Sequence, residues 1–381
     1  MSRLRICALT ERRADYSRIR SVYQLMNETP EIELGLVVTG QHLVPSLGNT
    51  VADIERDGLP IVARIPSILD DEDSGSAMVR ALGVILGGLA ETLEEFRPDL
   101  VLVCVDLGSA VAGAIAGAHM NIPVAHLDGG AVTGSIDESI RHATTKFSNI
   151  HFACTQLAAQ RVIKMGELER YVFNVGDPAL DIVLHGPRID VDLLAARLGL
   201  STDRPLVLVL QHAVTTQAEQ SLDQFLVTLE AVQRVKEPAL LVYPNIDAGG
   251  RRIIAAIEGS SIKHMPHVVF EEFVALMSLS NVMVGNSSAG IREAASFGLP
   301  VVNIGIRQQG RERAGNVIDV DHDVDQIELA IQKALTDGEF RQRMKEAPNP
   351  YGDGHAAERI VEILLALDLK DPLLIQKKLT Y

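Results

Sequence analysis

Basic charge is scarce in this chain of 381 residues: 35 Lys and Arg stand against 50 Asp and Glu, a formal net charge of −15. Nucleic-acid backbones are gripped through clustered cations, so the deficit excludes a nucleic-acid partner and requires any phosphate to be met by a local arginine site. Long apolar runs are missing too. No stretch reaches the roughly 18 uncharged residues of a membrane span, and residues 81–90 read as a short core run. The opening Met1-Ser2-Arg3-Leu4-Arg5-Ile6 reads as a first buried strand rather than a signal peptide, which places the protein in the cytoplasm. Cysteine is limited to Cys7, Cys104 and Cys154, far apart in apolar surroundings. That spacing fits buried reduced thiols, not a disulfide framework or a metal knuckle. The histidines lack HExxH or any other close ligand spacing, so no metal is predicted. Low-complexity segments and short-period repeats are absent.

What is present is an alternation of strand-like and helical patterns, in a chain long enough for two domains. Strand-like runs at 4–9, 34–38, 100–105, 124–127, 150–153 and 172–174 alternate with helical patterns from about Ser17, over 42–57, over 110–119 and from Glu138. A second set begins at 205–210 and continues through 240–243, 268–270, 282–284 and 301–304. Such alternation predicts α/β architecture: two Rossmann-like, doubly wound domains of parallel βαβ units. Gly176-Asp177-Pro178 and Leu184-His185-Gly186-Pro187 mark the boundary, giving domains 1–180 and 181–355, with a helix and tail at 356–381 packing back on the first domain and ending in a surface arm. Ligands of doubly wound sheets bind beyond the carboxyl ends of the strands. The site is therefore expected in a cleft between the two domains.

The strongest local signal is Gly285-Asn286-Ser287-Ser288-Ala289-Gly290-Ile291-Arg292-Glu293, between two apolar runs. A buried strand, a small-residue turn and a helix starting near Ala289 aim amides and hydroxyls at an anion, and Glu293 is spaced to accept from a ribose diol. The plainer alternative is an ordinary strand-to-helix turn. After the first strand, Arg13 and Ser17 are placed to contact a diphosphate; alternatively, Asp15 or Ser17 caps the helix and Arg13 is solvated. Asp106 and Asp128 each follow a buried apolar run, where a carboxylate without a role is costly. With Asp137 and Glu138 they form an acidic rim in which neighbouring carboxylates raise one another's pKa and exchange protons. Ser135 with Glu138 also fits a capping box. His212 follows another buried run, suited to hold a phosphate oxygen or protonate a leaving group. Asn245 offers a second polar contact, and Arg307, Arg311 and Arg313 supply positive charge.

These segments in this order resemble the hydrolysing UDP-N-acetylglucosamine 2-epimerases, including those of sialic-acid and legionaminic-acid pathways. The resemblance rests on Arg13-Ala14-Asp15-Tyr16-Ser17, on Gly134-Ser135-Ile136-Asp137-Glu138-Ser139-Ile140-Arg141-His142, and on Gln211-His212-Ala213-Val214-Thr215-Thr216. Pro244-Asn245-Ile246-Asp247-Ala248-Gly249, Gly285-Asn286-Ser287-Ser288 and Arg307-Gln308-Gln309-Gly310-Arg311-Glu312 complete it. It implies a glycosyltransferase-B architecture, a homodimer or homotetramer, no metal or redox cofactor, and a UDP-sugar substrate. The implied reaction eliminates UDP to a 2-acetamidoglucal and hydrates it to a free sugar inverted at C2. By similarity Asp106 and Asp128 are catalytic carboxylates, Asp137 or Glu138 assists, and His212 faces the diphosphate. Arg13, Ser17, His42, Arg141, Asn245, Ser287, Ser288, Glu293 and Arg307 form the expected substrate-binding set. The chain departs from the family pattern at the sugar end. Where Gly-Asp-Arg, a bulky residue and a carboxylate are usual, it has Val105-Asp106-Leu107-Gly108-Ser109; Asp128 replaces a Glu, and Ala131 replaces another. The competing readings are a glycosyltransferase or plain nucleotide-sugar hydrolase of the same fold, or a non-catalytic UDP-sugar-binding protein.

Overall fold

The computed structural model describes residues 3–68, 74–133, 136–245, 247–266 and 268–381. They form two compact units. Unit 1 comprises Met1–Ala131, Asp137–Asp181 and Tyr351–Tyr381; unit 2 comprises Val132–Ile136 and Ile182–Pro350.

In unit 1 the strands β1 (Leu4–Thr10), β2 (Ile32–Thr39), β3 (Ile61–Ile65), β4 (Leu100–Cys104), β5 (Val124–Leu127), β6 (Ile150–Ala153) and β7 (Val172–Asn174) make one parallel sheet. Its order is β3-β2-β1-β4-β5-β6-β7. Every residue of β4 (Leu-Val-Leu-Val-Cys) and β5 (Val-Ala-His-Leu) is buried because helices cover both faces of a parallel sheet. The helices α1 (Arg13–Glu28), α2 (Val51–Arg56), α3 (Gly75–Phe96), α4 (Gly108–His119) and α5 (Asp137–Phe147) connect the strands that carry the rim. The helix Ala356–Ala366 buries Ile360, Val361 and Leu364 in the same core.

Unit 2 repeats the plan. Its strands β8 (Val207–Leu210), β9 (Ala239–Val242), β10 (Lys263–Met265), β11 (Val282–Gly285), β12 (Val301–Ile304) and β13 (Val317–Val320) are ordered β10-β9-β8-β11-β12-β13. In each sheet the strand order reverses once, between β1 and β4 and between β8 and β11. Crevices at the carboxyl ends of such reversals are where doubly wound sheets take ligands.

Several elements differ from the sequence reading. α1 begins at Arg13 rather than Ser17, because Asp15 caps it. The helix expected over 42–57 is broken into two 3₁₀ turns, Gly40–Leu43 and Pro45–Leu47, before α2, since Pro45 supplies no N–H and Gly48 turns left-handed at φ 91°. Residues 81–90 belong to the 22-residue α3, long and apolar enough to span a membrane by composition alone. One side of α3 lies in the core through Ile85, Leu89 and Leu93, with Leu82, Val84 and Leu86 packed against it, while Val79, near its start, is 70% exposed. The strand expected at 268–270 is replaced by β10 at Lys263–Met265. Phe270 instead opens the helix Phe270–Leu279, whose first turn carries the dipole-favoured Glu271 and Glu272. The chain after Leu369 lies largely on the surface but is tied down there. Leu374 is buried, and Lys377 donates to the carbonyls of Thr145, Lys146 and Ser148 at 3.0, 2.8 and 2.5 Å.

Candidate active site

In unit 1 the site begins at the end of β1. The Asp15 carboxylate accepts from Glu11 N at 3.0 Å, Arg12 N at 2.7 Å and the Thr10 hydroxyl at 2.8 Å, so the capping alternative is realised by Asp15. Burial raises its pKa and these bonds oppose the rise. The Ser17 hydroxyl turns back to donate to the Arg13 carbonyl of its own helix. Arg13 is half-buried; burial lowers its pKa and nearby Asp53 opposes this.

His42 lies beneath this turn, wholly buried, with Nε2 3.0 Å from Thr10 Oγ1 and Nδ1 2.7 Å from Thr50 Oγ1. The Thr10 proton is already given to Asp15, so His42 Nε2–H donates to Thr10 and Thr50 donates to Nδ1. Burial pushes its pKa down to about 4. Both ring nitrogens of this expected substrate contact are therefore spent inside the protein, and His42 acts as a strut under the rim.

The turns that carry Asp106 and Asp128 each include a left-handed residue. Val105, just before Asp106, has φ 59°, and Asp128 itself has φ 70°. A β-branched residue in this region is an outlier costing about 1–2 kcal/mol, so the turn must be held from outside. Leu127 O accepts from Val105 N at 2.9 Å, and Val105 O lies 2.9 Å from His126 Nε2. His126 Nδ1 lies 3.1 Å from the Thr145 hydroxyl on α5. Burial drives the His126 pKa down to about 3, so the imidazole is neutral, donating from Nε2 and accepting at Nδ1.

Arginines hold the two carboxylates. Asp106 is ion-paired with Arg141 of α5, a wholly buried side chain that also donates to Ala131 O at 3.1 Å. Asp128 accepts from Arg18 Nη1 at 3.1 Å, and Arg18 grips Asp177 with Nε and Nη2 at 3.0 and 2.8 Å. Burial alone would lower the Arg18 pKa, but Asp128 and Asp177 outweigh it and raise it. Asp137 and Glu138 open α5, and Glu138 lies 3.7 Å from His142 Nε2. The capping-box alternative for Glu138 depends on Ser135, which lies outside the described residues.

In unit 2 Asn286 acts as a clamp on His212. Its Oδ1 accepts from His212 N at 2.7 Å and its Nδ2 donates to His212 O at 2.9 Å. His212 Nδ1 accepts from Asn245 N at 3.1 Å. The ring proton therefore belongs on Nε2, and the imidazole is a neutral donor rather than an acid. Gly285 is required here, because at φ 130° a Cβ would stand 2.2 Å from Leu210 O. The helix expected from Ala289 is a single turn, Ser288–Ile291, which Ser287 caps through Ala289 N. A helix that short brings little dipole, so the cradle's donors are local. Arg307 Nη1 and Gln308 Nε2 hold the Asn286 carbonyl at 3.1 and 2.8 Å, and Glu293 is buried nearby in sequence. Of the arginines expected to add charge, Arg313 is paired with Asp319, and Arg311 donates to Val132 O at 3.3 Å.

Sequence reasoning missed Glu11, Arg18, His126, Asp177 and Asn286 as working parts. Glu11 had a signal, being the first residue beyond β1; Arg18 and Asp177 had none, since their pairing joins positions 159 residues apart. Among the described residues no three His, Cys, Asp or Glu side chains cluster as a metal site.

A family model described as UDP-N-acetylglucosamine 2-epimerase matches residues 24–365. The chain is 38% identical to the hydrolysing UDP-N,N'-diacetylbacillosamine 2-epimerase of Legionella pneumophila, over 97% of this chain and 98% of that protein. It is 29% identical to the UDP-N-acetylglucosamine 2-epimerase of Neisseria meningitidis serogroup B, over 94% of each. Its fold matches the crystal structure of a UDP-GlcNAc 2-epimerase from Neisseria meningitidis bound to UDP-GlcNAc, with TM-score 0.81 at 21% identity, covering 95% of this chain and 100% of that one. The Methanocaldococcus jannaschii UDP-GlcNAc 2-epimerase, in complex with UDP-GlcNAc and UDP, gives TM-score 0.79 at 19% identity, again covering 95% of this chain and 100% of that one.

Proposed function

Since the chain belongs to the UDP-N-acetylglucosamine 2-epimerase family, we propose that it is a hydrolysing 2-epimerase whose preferred substrate is a UDP-linked 2,4-diacetamido sugar. The observation that carries the substrate choice is the 38% identity, over nearly the whole of both chains, to an enzyme named for UDP-N,N'-diacetylbacillosamine. The sugar-end departures agree with it: Leu107 and Ala131 replace charged side chains of the family pattern, which suits a second acetamido group better than a free hydroxyl.

In the first half-reaction a rim carboxylate, Asp106 or Asp128, takes the proton from C2. The C2–H electrons form the C1=C2 bond, the C1–O bond breaks, and its electron pair leaves with UDP. His212 Nε2–H, Arg307, Ser287 and Ser288 stabilise the charge arriving on the diphosphate, and Glu293 and Asn245 contribute to the nucleotide grip. His212 serves as a hydrogen-bond donor because the backbone of Asn245 already occupies Nδ1. In the second half water adds at C1 and a proton returns to C2 on the opposite face. Arg141 and Arg18 keep the two aspartates aimed, and His42 and His126 hold the turns that carry the site.

The test is incubation of the purified protein in deuterated water with UDP-N-acetylglucosamine and UDP-2,4-diacetamido sugars. Release of UDP with deuterium at C2 of the free sugar is expected, fastest on the diacetamido substrate. Intact sugar nucleotides throughout would overturn the reading, and release without deuterium at C2 would favour a plain hydrolase.

A further inference from the structure

Inversion at C2 needs a proton taken from one face of the sugar and another delivered to the opposite face, and hence two groups with opposite duties. Asp106 and Asp128 each hold a guanidinium, which favours the ionised form of a carboxyl and suits a proton acceptor. Beyond Asp106, Asp128, Asp137 and Glu138, a further carboxyl reaches the rim. Glu11 is the first residue beyond β1, and its Oε2 accepts from Ser109 N at 2.8 Å, in the first turn of α4 and three residues past Asp106. Glu11 thus bridges β1 and α4 at the point where the strand order reverses, the ligand-taking crevice of a doubly wound sheet. Gly40 lets the end of β2 lie against it, since a Cβ there would stand 2.5 Å from Glu11 Cγ and 2.7 Å from Glu11 O.

We propose that Glu11 is a further catalytic residue of this enzyme, the acid that delivers the proton to C2 in the hydration half-reaction. The assignment rests on the 2-epimerase reading above. In that step the Glu11 O–H bond breaks, its proton goes to C2, and its electron pair stays on the carboxylate. The C1=C2 electrons form the new C2–H bond while a water oxygen bonds to C1, and the surplus water proton passes to a rim aspartate. The proton taken from C2 in the first half is released to solvent, and the surplus water proton returns through solvent to Glu11, which restores the resting state with no other reactant.

The charged surroundings are consistent with the role. Burial raises the Glu11 pKa; the Ser109 backbone and hydroxyl bonds and Arg12 lower it, and Asp15 of α1 raises it. The His42 backbone N–H bonds the Glu11 carbonyl at 3.4 Å, and its neutral ring adds no charge.

Glu11→Gln separates this role from simple helix capping, because the Gln carbonyl still accepts from Ser109 N while carrying no transferable proton. With a UDP-sugar that the wild-type protein turns over, E11Q should release UDP, accumulate the 2-acetamidoglucal, and form free sugar about 10²–10³-fold more slowly with KM little changed. The wild-type rate of free-sugar formation should fall as pH rises through the Glu11 pKa, and E11Q should lack that limb. Carbon-13 NMR of the ligand-free protein should show one carboxyl, absent in E11Q, titrating above the ordinary glutamate range. Wild-type turnover with E11Q unchanged in kcat, product and pH profile would overturn the Glu11 assignment alone; no turnover by the wild-type protein would overturn the functional reading with it.

Discussion

His42 and His126 are buried as neutral rings, with pKa values held down to about 4 and about 3 by desolvation. Each fixes one proton arrangement: His42 under the β1 turn, and His126 between the left-handed Val105 carbonyl and Thr145. A pH dependence follows from His42. Its folded pKa lies below the ordinary 6.5, so as pH falls the unfolded chain takes the proton first. Stability from this group is full above pH 6.5 and is lost between 6.5 and 4. H42N, which cannot titrate, should lose roughly 2–3 kcal/mol less than wild type between pH 7 and 4.5 in urea unfolding; parallel curves for the two proteins would refute the assignment. At this scale Glu11 also answers a departure seen in the sequence. The carboxylate missing from residues 105–109 has a counterpart reaching the same stretch of backbone from the end of β1.

α5 shows how an element is fixed from both ends. Its first turn carries Asp137 and Glu138, and Arg141 one turn later holds Asp106. At its other end the carbonyls of Thr145 and Lys146 accept from Lys377 Nζ, more than 200 residues away in sequence, and Lys377 also pairs with Glu167 at 2.6 Å. Glu167 is bonded to His151 and Lys146 as well, and although burial raises its pKa these partners bring it down to about 2. The tail is thus part of the site's support. K377M removes three donors from carbonyls at the end of α5 and one partner from a buried carboxylate, and should destabilise by about 2 kcal/mol. Denaturant unfolding measures the loss, with faster amide exchange expected in the last turn of α5. A change under about 0.5 kcal/mol, within the range of ordinary surface substitutions, would show the contact to be incidental.

Across the whole molecule the proposed duties are divided, with the nucleotide grip in unit 2 and the proton-transferring carboxylates in unit 1. D106N should therefore leave the calorimetric affinity for UDP within about threefold while lowering kcat by about 10²–10⁴-fold. Parallel loss of UDP affinity would mean that the carboxylate serves the nucleotide grip. Much of the fold was legible beforehand. β5, β6, β7 and β12 have the bounds read from the sequence, because short segments rich in apolar residues between helical patterns mark strands locally. The doubly wound class followed from alternation, and the places of residues 285–293, Asp106, Asp128 and His212 at the ends of buried strands followed from the apolar runs before them. These are properties of neighbouring positions, so the chain alone determined them. Folding alone decided which aspartate holds which arginine, that Val105 and Asp128 turn left-handed, that His212 carries its proton on Nε2, and that Glu11 reaches α4. Each depends on a contact between segments tens to hundreds of residues apart, where no local pattern records the partner.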